Sequence, residues 1–309
     1  MKRIIGRYTG PDRGPLLICF GGIHGNELAG VKALETVFNL LEHEPVVNPT
    51  FRFSGRIVGF RGNRLALSRR KRFYTQDLNR MWRPDLIRQL KHTHPADLRY
   101  EERELRELIE AVEREIAMYR PEKLVLLDLH TTTADGGIFG IATDDAESVR
   151  IAKELHAPVI TGMLAGLQGT MLHYFNKENI HAPEVVALGF EAGQHDDPLS
   201  VNRCIAAIIN CMRTIGCVDA DDVENRHDDL LMAYSQGLPK VAELRYVHHI
   251  QPNDEFRMAP NYHNFKPVKQ DEILAHDRFG PIIAKEDALI LMPLYQAQGS
   301  DGFFLVKEV

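Results

Sequence analysis

Continuous apolar runs alternate with amphipathic segments over the first two thirds of this chain, and that alternation leaves few folds open. Leu16–Phe20, Leu124–Leu129 and Glu184–Phe190 are short, apolar at nearly every position and closed by glycine or polar residues, as buried strands are. Phe51–Phe60 and Pro158–Met163 read as further strands. Between them, 26–41 reads as a helix with its apolar body over 31–41. The segment 97–119 sets Leu105, Leu108, Ile109, Val112 and Ile116 on one stripe, and 145–156 and 198–215 are also helical. Strands separated by helices predict an α/β fold, a sheet with helices on both faces.

The pattern changes at Asp219. The acidic, polar run Asp219–Asp229 reads as an exposed connection. After it come short strand-like pieces at 240–249, 255–258, 272–275, 288–292 and 303–306, punctuated by Pro, Gly, Asn and Asp. The expected division is one α/β domain over 1–220 and a smaller β-rich domain over 225–309.

A net charge of −6, from 37 basic and 43 acidic residues, argues against a nucleic-acid binder. The start lacks the apolar core of a signal peptide, and no run approaches the roughly 18 apolar residues of a membrane span. A cytoplasmic protein is expected, with neither nucleic acid nor membrane as partner. None of the four cysteines, Cys19, Cys204, Cys211 and Cys217, lies in a Cys-x-x-Cys pair. They read as small buried hydrophobes of a reducing compartment, not as nucleophiles.

The chemistry gathers where strands end. His24 and Glu27 follow the run Leu16–Phe20 at a strand-to-helix turn. Imidazole nitrogen and carboxylate oxygen together suit Zn²⁺, and a catalytic site takes three protein ligands with one position open. His130, closing the run that starts at Leu124, is the best third ligand. In an α/β sheet such residues meet outside the carboxyl ends of the strands. The competing reading makes Glu27 an ordinary first-turn helix residue and His24 a structural histidine. Glu191, in Gly189-Phe-Glu-Ala-Gly193, would face the same edge as a proton carrier, unless it is simply a strand-end glutamate in solvent. Residues 61–83 carry eight basic residues and one acid, Asp77. That run is either a solvated basic loop or a patch for an anionic small molecule. His92/His94 and His248/His249 read as surface histidines.

Four stretches together resemble the succinylglutamate desuccinylase/aspartoacylase family of the zinc carboxypeptidase superfamily: His-Gly-Asn-Glu at 24–27, Asp-Leu-Asn-Arg at 77–80, Asp-Leu-His-Thr at 128–131 and Gly-Phe-Glu-Ala-Gly at 189–193. They stand in the family's order, and the β-rich tail resembles its C-terminal domain. The resemblance implies a zinc-carboxypeptidase-like mixed sheet flanked by helices, with a zinc-hydrolase catalytic domain over 1–220. It implies one Zn²⁺ per subunit on His24, Glu27 and His130, with Glu191 as general base and then general acid. Arg72 would polarise the scissile carbonyl, with Arg64 a weaker rival, and Asn79 and Arg80 would hold the substrate carboxylate. Asp77 and Asp128 are read as outer carboxylates that orient these groups. Two positions depart from the aspartoacylase pattern: residues 164–190 contain no arginine, Lys177 being the strongly basic residue there, and Met292 precedes Pro293 where the family has tyrosine, with Tyr295 nearby. N-acetylaspartate is therefore not carried over as the substrate.

The expected activity is zinc-dependent hydrolysis of the amide of a small, anionic N-acyl amino acid, in a chain that can form a homo-oligomer. The alternatives are a metallocarboxypeptidase acting on short peptides and a zinc- or ligand-binding protein without catalysis. Gly21-Gly22 after a strand matches neither the Walker nor the dinucleotide spacing.

Overall fold

The computed structural model describes residues 1–222 and 226–309. The chain begins with β1 (Ile4–Thr9), β2 (Asp12–Gly21), α1 (Ala29–Val47), β3 (Ser54–Arg61), α2 (Arg64–Arg69), α3 (Pro84–His92), α4 (Tyr100–Tyr119) and β4 (Lys123–Thr132). It continues through β5 (Phe139–Ala142), α5 (Ala146–Glu154), β6 (Val159–Thr161), α6 (Met171–Tyr174), β7 (Glu184–Gln194), α7 (Leu199–Thr214) and α8 (Arg226–Tyr234). The remainder is β8 (Val241–His249), β9 (Arg257–Met258), β10 (Lys266–Val268), β11 (Ile273–Asp277), β12 (Gly280–Ile283), β13 (Ala288–Leu291) and β14 (Asp301–Glu308).

An 11-stranded mixed sheet in the order β1-β3-β2-β4-β7-β5-β6-β8-β14-β13-β10 spans the molecule, beside a three-stranded sheet β12-β11-β9. β3, β2, β4 and β7 run parallel, in a register that sets Phe20 opposite Asp128 and His130 opposite Glu191. The sheet passes from β6 to β8 by parallel pairing at Val159–Val241, then becomes antiparallel through β14 and β13.

The apolar runs are explained by burial on both faces. Leu16 to Phe20 are all wholly buried. Leu16, Ile18 and Phe20 pack with Phe60, Trp82, Leu105 and Phe175, while Leu17 and Cys19 pack with Leu34, Val37, Cys204 and Ile208. Each wholly buried Leu or Phe side chain contributes about 1.5–3 kcal/mol relative to exposure, so the register of the parallel strands is tightly held. A smaller core of Val268, Leu274, Ile290, Phe303 and Leu305 supports the β-rich part. All four cysteines are buried and unpaired, as expected.

Several boundaries differ from the sequence reading. α1 starts at Ala29, not Asn26, and extends beyond Leu41 to Val47. β7 runs to Gln194, four residues past Phe190. The polar run 219–229 is not all connection, because α8 begins at Arg226; its residues 223–225, with the expected domain start at 225, lie outside the described residues. β5, α2, β10 and β12 are six residues long or less, too short to carry a periodic signal. No described helix is long and apolar enough to cross a membrane.

Candidate metal centre and active site

The site starts where β2 gives way to α1. Gly22 takes φ +73°, a left-handed turn that glycine adopts without steric cost. At Gly25 a Cβ would lie 2.1 Å from the backbone carbon of Ala66, so only glycine lets the turn pack against α2. His24 (4% exposed) and Glu27 (2%) face inward from this turn. α1 has no side-chain cap at Leu28, and Glu27 points instead at two histidines.

His24 Nδ1 lies 2.7 Å from Glu27 Oε1, and His130 Nδ1 lies 2.8 Å from Glu27 Oε2. The backbone N–H of Thr131 also donates to Glu27 Oε2, at 3.2 Å. Behind each ring stands a second carboxylate: His24 Nε2 is 3.1 Å from Asp77 Oδ1, and His130 Nε2 is 2.7 Å from Asp128 Oδ2. An ionised carboxylate only accepts, so without a metal each ring nitrogen facing a carboxylate is a donor; with a cation held, Asp77 and Asp128 would keep the two Nε2 protons and leave each Nδ1, aimed at the shared centre, free to ligate. One ligand atom from each of the three residues can be taken within 4.8 Å of the others. Burial alone would raise the Glu27 carboxyl, yet His24 and His130 hold it well below its usual range. Burial would lower His130, yet Asp128 and Glu27 hold it well above its usual value. Two nitrogens and one oxygen, buried, convergent and braced from behind by carboxylates, fit a divalent cation such as zinc.

Glu191 stands opposite His130 in the β4–β7 register. It is 5% exposed, and its Oε2 is buried without a hydrogen-bond partner. It is therefore not a solvent-facing strand-end glutamate. Burial pushes its carboxyl up to about 7 against the pull of His130, with Glu27 adding to the rise.

The basic segment divides. Arg69, Arg70 and Lys71 are exposed, whereas Arg72 turns inward, its Nε 3.1 Å from Asp77 Oδ2 and one terminal nitrogen 3.7 Å from Glu27 Oε1. The N–H of Gly25 donates to the Arg72 carbonyl at 3.0 Å, tying this loop to the turn that carries His24 and Glu27. Buried Glu101 holds the loop's far side, accepting from Asn63 Nδ2 at 3.1 Å, Tyr74 N at 2.7 Å and the Thr75 hydroxyl. Arg80 pairs with Asp301 of β14, and Asn79 Oδ1 accepts from the N–H of Met171 at 2.9 Å. His24, Glu27, Arg72, Asn79, Arg80, His130 and Glu191 all line one cleft. Arg64 does not: it pairs with Glu104 and Glu107, which also take Arg3.

His195 was not singled out by sequence, yet it lines the cleft with Nδ1 2.7 Å from the Thr131 hydroxyl and Nε2 buried without a partner. Its signal was the full length of β7: it follows Gln194, the true last residue of that strand. Met292, Leu294, Ser300 and Asp301 also line the cleft, brought there by the antiparallel part of the sheet. Tyr295 does not; its hydroxyl donates to the Ala259 carbonyl at 2.8 Å and accepts from Tyr262 N at 3.0 Å. His248 lies between the rings of Phe256 and Phe303, and His249 pairs with Asp301. Among the described residues, His24, Glu27 and His130 form the one cluster with metal-ligand geometry.

The model of the succinylglutamate desuccinylase/aspartoacylase catalytic domain matches residues 13–212. No curated protein matches the chain significantly. Among solved structures, the chain is similar to succinylglutamate desuccinylase from Chromobacterium violaceum, with TM-score 0.64, 15% identity, and 100% of this chain and 94% of that one covered. Succinylglutamate desuccinylase from Vibrio parahaemolyticus gives TM-score 0.61 at 18% identity, covering 96% and 82%. A product-bound structure of the ectoine utilization protein of Ruegeria pomeroyi gives 0.60 at 17%, covering 96% and 85%. At these identities the likeness is one of fold.

Proposed function

Since the chain belongs to the succinylglutamate desuccinylase/aspartoacylase family of deacylases, we propose that it is a zinc-dependent hydrolase of the amide bond in a small N-acyl amino acid. The observation that carries this reading is the convergence of His24, Glu27 and His130 with the buried, unpartnered carboxylate of Glu191 in one cleft. His24, Glu27 and His130 would hold one zinc per subunit. Bound there, the ion supplies Lewis acidity and makes water nucleophilic near neutral pH.

The rest follows from the side chains. Glu191, buried in the cleft with an unpartnered oxygen, takes a proton from the attacking water and delivers it to the leaving nitrogen, acting as general base and then general acid. Arg72 faces the carbonyl oxygen as negative charge develops on it, and Asp77 keeps its guanidinium in place. Arg80 and Asn79, at the side of the same cleft, bind the substrate's carboxylate. Asp128 and Asp77 hold the outer nitrogens of the two histidines. The buried, unpaired cysteines favour a reducing compartment, which agrees with the cytoplasm.

Amine release from a panel of N-acyl amino acids and dipeptides tests this reading, using zinc-loaded protein and a chelated control. Chelator-sensitive turnover of N-acyl amino acids is expected. Cleavage of dipeptides alone would make the protein a carboxypeptidase, and zinc binding without any turnover would make it a binding protein.

A further inference from the structure

The cleft has one arginine available for one substrate carboxylate. Among the described residues that line it, the arginines and lysines are Arg72 and Arg80 alone. Arg72 is committed to Asp77 and Glu27, which balance its charge inside the site. Arg80 is the nearer to solvent and is shared with Asp301, so it can accept the carboxylate that every N-acyl amino acid carries. A second carboxylate would find no uncommitted arginine or lysine, and the Asp301 carboxylate already stands in the same cleft.

Beside Thr131, Thr132, Thr133 and Thr170, the lining has an apolar share. Ile141, Leu164, Leu167, Leu172, Met292 and Leu294 line the cleft from β5, from the segment before and within α6, and from the strand connections near the C-terminus. Met292 is placed there at a cost: its φ is +49°, a left-handed conformation unfavourable for a residue with a Cβ. Its N–H donates to Asn264 Oδ1 at 2.7 Å, and wholly buried Asn264 also donates to the Thr132 hydroxyl at 3.1 Å. The strained backbone is thus anchored to the strand that carries His130, where Met292 lines the cleft.

We infer that Met292, with the leucines of 164–172, forms a subsite selecting an N-acyl amino acid whose side chain is apolar, aliphatic or aromatic, rather than a second carboxylate. An ionised group there would lose its hydration without gaining a partner, while an aliphatic or aromatic group gains from burial. The inference rests on the reading above that an N-acyl amino acid is the ligand and that Arg80 holds its carboxylate.

The test is calorimetric titration of the zinc-loaded Glu191→Gln protein with N-acetyl-leucine, N-acetyl-phenylalanine and N-acetyl-aspartate. Leucine or phenylalanine derivatives should bind at least about tenfold tighter than the aspartate derivative, the size of selectivity an apolar pocket gives. Met292→Lys in the same background should erase that margin by about tenfold through a new cation. Equal or tighter binding of N-acetyl-aspartate to the unaltered pocket, or no binding of any of the three, overturns the inference. The wild-type ratio of kcat/KM for the same compounds gives an independent reading should Glu191→Gln not fold. If the apolar ligands bind preferentially but wild-type protein cleaves none of the panel, the hydrolase reading fails and the subsite stands.

Discussion

The parallel and antiparallel stretches of the one sheet contribute differently to one cleft. In the parallel stretch, β2, β4 and β7 bring His24, Glu27, His130 and Glu191 to a common edge. Every one of those side chains is buried and faces another charged group. In the antiparallel stretch, β13 and β14 and their connection bring Met292, Leu294 and Asp301 to the other wall. All three are half-buried; Met292 and Leu294 are apolar, and the Asp301 carboxylate takes Arg80 and His249. The contrast teaches that the proposed reacting groups stand at or just past strand ends whose positions the buried core holds, while the proposed specificity wall is assembled from both stretches, Leu164, Leu167 and Leu172 from the α/β part and Met292 and Leu294 from beyond β13.

The contrast can be broken first at the reacting edge. Glu191→Ala should keep its metal, measured by metal analysis, and lose turnover by about 10²–10⁴-fold, the usual contribution of a proton carrier. Retained activity would remove Glu191 from the proposed chemistry. Asp128→Ala leaves His130 Nε2 without its 2.7 Å partner and should weaken zinc affinity by about 10–100-fold, read by competition with a chelating dye. An unchanged affinity would show that the outer carboxylate does not organise the ligand.

On the opposite wall the effects should fall on binding. Arg80→Ala should raise KM about tenfold or more with a smaller change in kcat, since it acts on the substrate's carboxylate in ground and transition state alike. A loss confined to kcat would move Arg80 to the reacting edge. Asn264→Ala cuts the link between the two stretches, leaving the Met292 N–H and the Thr132 hydroxyl with lost partners in a buried place. A loss of about 1–3 kcal/mol in unfolding free energy is expected, measured by denaturant titration; a neutral result would mean that the Met292 turn is held by other contacts.

The smallest effect is on pH dependence. In metal-free protein the Glu191 carboxyl sits at about 7, against 4.5 as its ordinary value. Between those two pH values the folded protein keeps a proton that the unfolded chain has released. The associated stability is full below the unfolded value and is lost as pH rises through the folded one. The thermal midpoint of metal-free wild type should therefore fall over pH 4.5–7 relative to Glu191→Gln. Parallel curves for the two proteins would show that the carboxyl is not held neutral.

Much of the reacting edge was legible in the chain because burial and chemistry are both local there. Leu16–Phe20, Leu124–Leu129 and Glu184–Phe190 announce strands buried on both faces, and the residues just past them announce the site. His195 escaped because β7 continues through Gly193 to Gln194, where the apolar run has already ended. The basic run 61–83 showed its charge but not its division, since whether an arginine faces solvent, Glu104 or Asp77 depends on residues distant in sequence or on the fold of its loop. Asp301 lies 221 residues from Arg80, and Met292 reaches the cleft through a left-handed backbone held by Asn264. Sequence alone determined the α/β class, the strand ends and the residue types able to bind a metal, because these follow from apolar periodicity and side-chain chemistry within a few residues. Only the tertiary structure decided which arginine turns inward, which carboxylate is pushed up to about 7 and what lines the far wall, because burial and charge pairing depend on segments that meet only when the sheet has formed.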